Sequence, residues 1–422
     1  MSESGSDTRI WDRRQFLFAA GMAAPALARA AGKRDRAEAE EPVDDGDLDT
    51  SDDAETSSAL PQKSVRGYGL SLDDFGADPT GVKDSTSALQ TAVDRAAGGC
   101  LLIPRGRYRI SRPIAVEKSG LAIVGESLRS ESLLGSVLFK SDDFKGDALL
   151  HAVRDDKVRV HGLSISGITV DGRRQPGSGL LFANVGNVTL DSVVVSGCSD
   201  WGVVIDGGFL CSLRGVIAIG NGTFDKGKAS GGGVLLAANS RACADTRIID
   251  SCFNKNLGAQ LRLAGRVDGS STGPRDRRRV AGLTVLGCQF ERPAHDDLRV
   301  PVVAVDAAER CSFISCNFVQ PRGMNPPCLG LGGAGSWLSD VSFIACYFQY
   351  NGKQGAAIRG EAGTRNISFI DARFGGRGRL FDFAATLDPG SIHFNRPPDL
   401  TRGSGRAALS FPLMAPAVTT GG

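Results

Sequence analysis

Val341-Ser-Phe-Ile-Ala-Cys-Tyr-Phe348 is only eight residues long, and the chain keeps rewriting it. Take Cys346 as a reference slot. Apolar residues then stand five before it (Val341), three before it (Phe343) and two after it (Phe348). The same template fits Leu163/Ile165/Ile168/Val170, Val188/Leu190/Val193/Val195 and Cys211/Leu213/Val216/Ala218. It fits Leu283/Val285/Cys288/Phe290, Cys311/Phe313/Cys316/Phe318 and Ile367/Phe369/Ala372/Phe374. A weaker copy, Arg247/Ile249/Cys252/Asn254, lies among them. The slots fall at 168, 193, 216, 252, 288, 316, 346 and 372, so the spacings are 25, 23, 36, 36, 28, 30 and 26.

Alternation with period 2, interrupted by one extra residue, reads as two short strands meeting at a bend. A strand-bearing unit that recurs every 23 residues or slightly more is a solenoid, each turn burying its apolar face on its neighbours. The fold class expected is therefore all-β, a parallel β-helix of about eleven turns. A repeat array grows by adding turns, so 422 residues need not divide into several cores.

The ten cysteines fit that ladder better than a disulfide framework. Cys252, Cys288, Cys316 and Cys346 take the slot that Ile168, Val193, Val216 and Ala372 take elsewhere, as small buried hydrophobes would. No CxxC pair or close Cys/His cluster accompanies them, so no metal ligands are assigned. The net charge of +2 conceals an asymmetry: residues 1–65 hold 14 acids and 8 bases, leaving 33 acids and 41 bases in the body. A basic body suits a polyanionic partner. No stretch approaches the roughly 20 apolar residues that span a bilayer, so no stable membrane insertion is expected.

Residues 1–31 read as a targeting segment. Asp12-Arg13-Arg14-Gln15-Phe16-Leu17 precedes a mild apolar run and the small-x-small end Ala28-Arg29-Ala30. The paired arginine and weak apolar run resemble a twin-arginine export signal, which implies passage through that export machinery and a periplasmic or secreted protein. Residues 32–65, with ten acids between Glu38 and Glu55, read as a disordered acidic linker. The β-helix domain is expected over 66–395, and the Pro/Gly/Ser/Ala-rich residues 396–422 as a flexible tail. Within the body, Asp84 can cap a helix over 85–97 with the apolar stripe Ala88, Leu89, Ala92, Val93 and Ala96. The open end of a β-helix exposes strand edges and core, and such a helix would cover it.

Three segments here resemble the N-terminal region of the pectate lyase superfamily: Asp74-Phe-Gly-Ala-Asp-Pro-Thr-Gly81, Asp84-Ser-Thr-Ser-Ala-Leu-Gln-Thr-Ala92 and Ile103-Pro-x-Gly-x-Tyr-x-Ile110. The resemblance covers about 74–395 in architecture and 74–110 in motifs. It implies a right-handed parallel β-helix that acts on a polysaccharide, not on nucleic acid. A calcium ion is the cofactor that the calcium-dependent members of the superfamily would imply.

The two 36-residue turns locate a site, because each carries about 13 residues beyond a bare turn of 23. One excess is 221–232, the other 266–279, and the strands 234–237 and 259–263 lie between them. Stacked turns would set these loops on opposite sides of one sheet, as walls of a groove. Alternation turns Leu261 and Leu263 inward, so Gln260 and Arg262 are expected to face out, as are Arg359 and Asp382. Asp200 and Asp206 flank the strand beginning at Trp201, and His295 lies in the loop before Val300. Outward acids and bases over a groove suit β-elimination or C5 epimerisation of acidic sugars, in which a base removes a proton while a cation neutralises the uronate. Asp200, Asp206, Arg262 and His295 are the catalytic candidates, and Lys226, Lys228, Gln260, Arg359 and Asp382 the substrate-binding ones. Against the motifs of related enzymes the chain is incomplete. Polygalacturonase-like hydrolases carry Asp-Asp where this chain has Ser199-Asp200, and Gly-His-Gly where it has Gly258-Ala259-Gln260. The Asp-Pro-His element of alginate-epimerase-like proteins is absent, and Asp200 and Asp206 alone fall short of a dense calcium cluster. A lyase or epimerase is the first reading. A polygalacturonase-like glycoside hydrolase and a non-catalytic glycan-binding or envelope protein are the alternatives.

Overall fold

Each copy of the repeat folds as two short strands joined at a left-handed corner. Thr189–Asp191 leads through Ser192, at φ 55°, into Val194–Ser196. The corner residue recurs one position before the slot, as Gly167, Ser192, Gly215, Asp250, Gly287, Ser315, Ala345 and Asp371. A second left-handed column, five residues earlier, comprises Gly162, Asn187, Leu210, Asp245, Gly282, Arg310, Asp340 and Asn366. Both columns favour Gly, Asn and Asp because positive φ strains most other side chains.

These corners fold the chain, in a computed structural model, into a right-handed parallel β-helix, with residues 69–395 described apart from 127–134, 154–157, 240, 268–276, 292, 295, 298, 322, 333–336, 362 and 385–390. The segments read as an export signal (1–31), acidic linker (32–65) and tail (396–422) lie outside the described residues. Three parallel sheets of 14, 10 and 11 strands run the length of the molecule. The two strands of each repeat belong to the first and second sheets. A third strand, such as Trp201–Asp206, completes the turn. No described helix is long and apolar enough to cross a membrane.

The interior is a set of in-register columns. Phe253, Phe290, Phe318, Phe348 and Phe374 stack with ring centroids 4.5–5.4 Å apart. Phe313, Phe343, Phe369 and Phe394 form a parallel stack at 4.9–5.0 Å. Each ring contact adds about 0.5–1.5 kcal/mol beyond its buried area. Cys288, Cys316 and Cys346 are fully buried, and each thiol donates to the carbonyl two residues earlier. All ten cysteines are free.

The weak copy is corrected by one residue. Ile217 pairs with Cys252 and Ala218 with Phe253, so the slot in that turn belongs to Ser251 and the copy reads Thr246/Ile248/Ser251/Phe253. Ser251 is 2% exposed and donates to the Ile249 carbonyl, as the slot thiols donate to theirs. Cys252 faces the other way and is half-buried.

The N-terminal helix spans Thr86–Arg95 and buries Thr86, Leu89, Ala92 and Val93. Asp84 accepts the Thr86 amide at 3.1 Å and the Ser111 hydroxyl at 2.7 Å. Gln90 shows what the cap does. Its Nε2 donates to the Ala115 carbonyl at 3.0 Å and its Oε1 accepts the Ala115 amide at 2.8 Å. One helix side chain thereby satisfies the open edge of the first strand of the third sheet.

Candidate functional site

The outward face of the third sheet carries the site. In register along that face lie Val204, Leu235, Arg262, Ala304, Gly330, Arg359 and Asp382. Arg262 and Arg359 thus stand in one column, three strand spacings apart, about 14 Å between backbones. Ala304 and Gly330 between them leave a trough. A Cβ on Gly330 would come within 2.6 Å of the Pro301 ring, so only glycine admits the loop that passes over this point.

A cavity of about 230 Å³ opens over this floor, bounded by Arg262, Arg299, Arg359, Asp306, Trp201 and the backbone at 229–231. Its three guanidinium groups come from different elements and keep 50%, 61% and 28% of their side chains exposed, for Arg262, Arg299 and Arg359 respectively. Each has a carboxylate beside it. Arg262 Nε donates to Asp306 Oδ2 at 2.6 Å, and Arg359 Nε lies 3.6 Å from Glu361. Arg299 meets both oxygens of Asp297 at 2.8 Å. Trp201, with Val204 and Ala259, forms a small apolar cluster outside the main core, against which Leu181, Leu235 and Val300 pack. The indole is 8% exposed, so it props the cavity from beneath and offers little open face.

The excess at 221–232 forms one wall. Thr223–Asp225 and Lys228–Ser230 pair as an antiparallel hairpin, and Asp297 accepts the Ala229 amide at 3.1 Å. Arg299 Nη2 donates to the Gly227 carbonyl at 3.2 Å. The Arg299 hydrogen bond, with help from the Ala229 amide, holds the Asp297 carboxyl well below the usual carboxylate range. Contrary to expectation, the residues at 299–301 line the cavity beside this hairpin, at the same end of the parallel strands, and not on a wall opposite it. In the second excess Arg266 and Val267 pair with Arg278 and Arg277, and none of its described residues lines the cavity.

Of the sequence candidates, Arg262 and Arg359 are in the cavity wall. Lys228 is exposed on the hairpin, and Lys226, also exposed, holds its turn at φ 48°. Asp382 stands one strand beyond Arg359 and pairs with Arg379 at 2.9 Å. Asp206 accepts the Asn239 amide at 2.8 Å and its Nδ2 at 3.3 Å, closing a corner. Asp200 accepts Ser178 Oγ at 3.3 Å, and burial raises its carboxyl, opposed by Ser178 and by the Lys140 charge. Neither Asp200 nor Asp206 lines the cavity. His295 lies outside the described residues.

Gln260, expected outward, is fully buried. The Gln260 and Leu261 amides both point to the Val302 carbonyl, at 2.8 and 3.4 Å, a bulge that turns two consecutive side chains inward. Gln260 Oε1 accepts Asn256 Nδ2 at 2.5 Å, at the corner where the preceding turn has Gly233. Asp306, Arg299 and Trp201 are the residues that sequence reasoning missed. Asp306 follows the strand Val303–Val305 and resembles any turn aspartate, while Arg299 precedes that strand in a loop.

Among the described residues no group of three or more His, Cys, Asp or Glu side chains could hold a metal ion. Asp200 and Asp206, the two carboxylates considered for calcium, are engaged by Ser178 and Asn239. This donor set does not fit a calcium site.

The family model described as "Rhamnogalacturonase A/epimerase, pectate lyase-like" matches residues 70–202. Over 105 residues the chain is 30% identical to Alginate lyase 7 of Azotobacter vinelandii, covering 24% of this chain and 12% of that protein. Among solved structures, ORF18 of Geobacillus virus E2 superposes with a TM-score of 0.55 at 19% identity, over 75% of this chain and 62% of the other. The alginate lyase from Paenibacillus sp. str. FPU-7 superposes with a TM-score of 0.55 at 14% identity, over 73% and 96%. The family model matches 133 of the 422 residues, and the two solved structures, at 19% and 14% identity, share the β-helix fold. The family match ends at 202, so Trp201 is the one cavity residue within it.

Proposed function

We propose that this protein is an exported carbohydrate-active β-helix protein, periplasmic or secreted by the twin-arginine route, whose trough binds an acidic polysaccharide. Its activity is lyase or epimerase chemistry. The observation that carries this reading is the convergence of Arg262, Arg299 and Arg359 on one cavity beside Trp201. Guanidinium groups pair bidentately with carboxylates. Neutralising a uronate in that way acidifies its C5 proton, the step that β-elimination and epimerisation share. The names of the pectate lyase-like family and of the alginate lyases agree with an acidic sugar chain.

Glycoside hydrolysis is the second reading, favoured by one placement. Extending the strand register by one residue sets Asp306, Gly332 and Glu361 in a single outward column. Two strand spacings put the two carboxylate-bearing residues about 10 Å apart at the backbone, on the scale of an inverting pair.

The test is incubation of the full chain with alginate, pectate and bacterial exopolysaccharides. Absorbance near ~230–235 nm, from the C4=C5 double bond conjugated to the uronate carboxylate, marks elimination. An altered C5 configuration by NMR marks epimerisation, and new reducing ends without absorbance mark hydrolysis. Binding with none of these products, unchanged in an Arg262→Ala/Arg359→Ala variant, would sink every enzymatic reading.

A further inference from the structure

We infer that Asp306 is the base of the proton transfer at this site and that Arg262 positions it. This rests on the proposed lyase or epimerase reading and adds its missing acid/base group.

Among the described residues lining the cavity, Asp306 is the single carboxylate. The carboxylates that sequence reasoning favoured, Asp200 and Asp206, do not line the cavity. Asp297 receives two guanidinium bonds from Arg299 and the Ala229 amide, which leaves it a structural tie. Asp306 receives one, from Arg262 Nε to Oδ2 at 2.6 Å. No described residue donates to its Oδ1. The neighbouring position in its column is Gly332, which lines the cavity and has no side chain to stand in the way. The Arg262 Nη atoms donate to no described residue, so the same guanidinium can orient Asp306 through Nε and meet a sugar carboxylate with its other edge. Arg299 and Arg359 lie on the same cavity to neutralise the uronate.

In elimination, Asp306 takes the proton from C5 of a uronate. The C5–H electron pair passes through the enolate to form the C4=C5 bond, the C4–O bond breaks, and the departing oxygen takes a proton from water. In epimerisation the C4–O bond stays, and C5 is reprotonated by water from the opposite face. No oxidant, reductant or other reactant is consumed in either course.

The experiment compares the wild-type full chain with Asp306→Asn and Arg262→Ala on alginate and pectate. It measures kcat and KM, deuterium uptake at C5 in D2O, polysaccharide affinity by calorimetry, and thermal unfolding. A general base contributes typically 10²–10⁴-fold, so Asp306→Asn should lose about that factor in kcat and in C5 exchange. Its affinity should stay within about threefold of wild type, since the cavity arginines remain. Arg262→Ala should lower kcat more than it raises KM, whereas a purely binding arginine would do the reverse. If Asp306→Asn does not fold, Asp306→Glu serves instead, keeping the charge and moving the carboxylate by one methylene. A fall of tenfold or more in its kcat at unchanged affinity supports the assignment, and an unchanged kcat overturns it. An active wild type whose Asp306→Asn variant keeps kcat and C5 exchange overturns this inference while the lyase or epimerase reading stands. A wild type without elimination or exchange on any polyuronate overturns both.

Discussion

Replacing Asp297 with alanine should loosen one wall of the cavity while leaving the solenoid intact. The Asp297 side chain is 5% exposed and accepts from at least four N–H donors. Three belong to Arg299, whose amide lies at 3.1 Å and whose Nε and Nη2 lie at 2.8 Å. The fourth is the Ala229 amide of the hairpin, at 3.1 Å. The Arg299 side chain is 61% exposed, so its ion pair is screened and contributes at most about 1 kcal/mol. Orphaning the Ala229 amide costs about 1–3 kcal/mol. Together these put the loss near 2 kcal/mol, local to the hairpin, because Asp297 belongs to no core column. Hydrogen exchange reads that quantity directly. The Ala229 amide should exchange about 30-fold faster in Asp297→Ala, with the strand amides of Val303–Val305 unchanged, and affinity for an acidic polysaccharide should fall as Arg299 and the backbone at 229–231 lose their positions. The pH dependence follows from the sign of the shift. Arg299 lowers the folded-state pKa of Asp297 beneath its unfolded value. The tie is therefore at full strength above about 3.9 and is lost as pH falls through the lowered folded value. Hairpin protection in the wild type should stay level between neutral pH and about 4, then decline. Unchanged exchange at Ala229 in the variant would refute the latch.

Three further outcomes follow from the same structure. Arg359→Ala should weaken binding of a polyuronate about tenfold at low salt, and by less as ionic strength rises, since the pair is partly solvent-screened; calorimetry at two salt concentrations checks both parts. In the native protein only the half-buried Cys100 and Cys252 should react rapidly with a thiol reagent, against all ten after unfolding. Burial pushes Cys198 and Cys243 up to about 12, so their thiolates are scarce at neutral pH, and a larger rapid class would contradict the ladder. Phe318→Ala removes a fully buried ring that stacks on Phe290 at 5.2 Å and Phe348 at 4.5 Å; it should cost about 3–5 kcal/mol, measured by urea unfolding, and a loss below about 1 kcal/mol would mean the stack is not tightly packed.

The interior of this molecule was open to sequence reading because each column repeats one residue class. A turn cannot change its inward residue without leaving a void or a clash against the turns above and below. The one slip in register shows where that signal weakens. Around Cys252 the turn is lengthened on both sides, and polar Arg247 and Asn254 fell in positions that are apolar elsewhere. The corners held the information that the hydrophobic template lost. Asp245 and Asp250 are turn formers five residues apart, like Asn187 and Ser192 or Gly282 and Gly287, and all six adopt positive φ. Aligning on the corners instead of the cysteine puts Ser251 in the slot.

The outward face follows a different rule, which is why the site was only half legible. Solvent accepts almost any side chain there, so neighbouring turns place no constraint on it and the residues carry no repeat. Period-2 alternation found Arg262 and Arg359 because their strands keep a regular pleat. It failed at Gln260, where two amides share the Val302 carbonyl and the pleat breaks. It could not find Arg299 or Asp306 at all, since both lie just outside a strand and reach the cavity through where the loop and the strand end are placed. The turn-length excess did better, because an insertion must emerge at a corner, and the hairpin from 221–232 does border the cavity. A rigid array of columns thus supplies a flat floor of Ala304 and Gly330, while the chemistry sits on groups that no repeat predicts. Reading such a site from sequence means asking which polar residues lie within two positions of the third strand in the turns next to an insertion. In this chain that question returns the carboxylates Asp200, Asp206 and Asp306, and of these three only Asp306, on which the proposed proton transfer depends, lines the cavity.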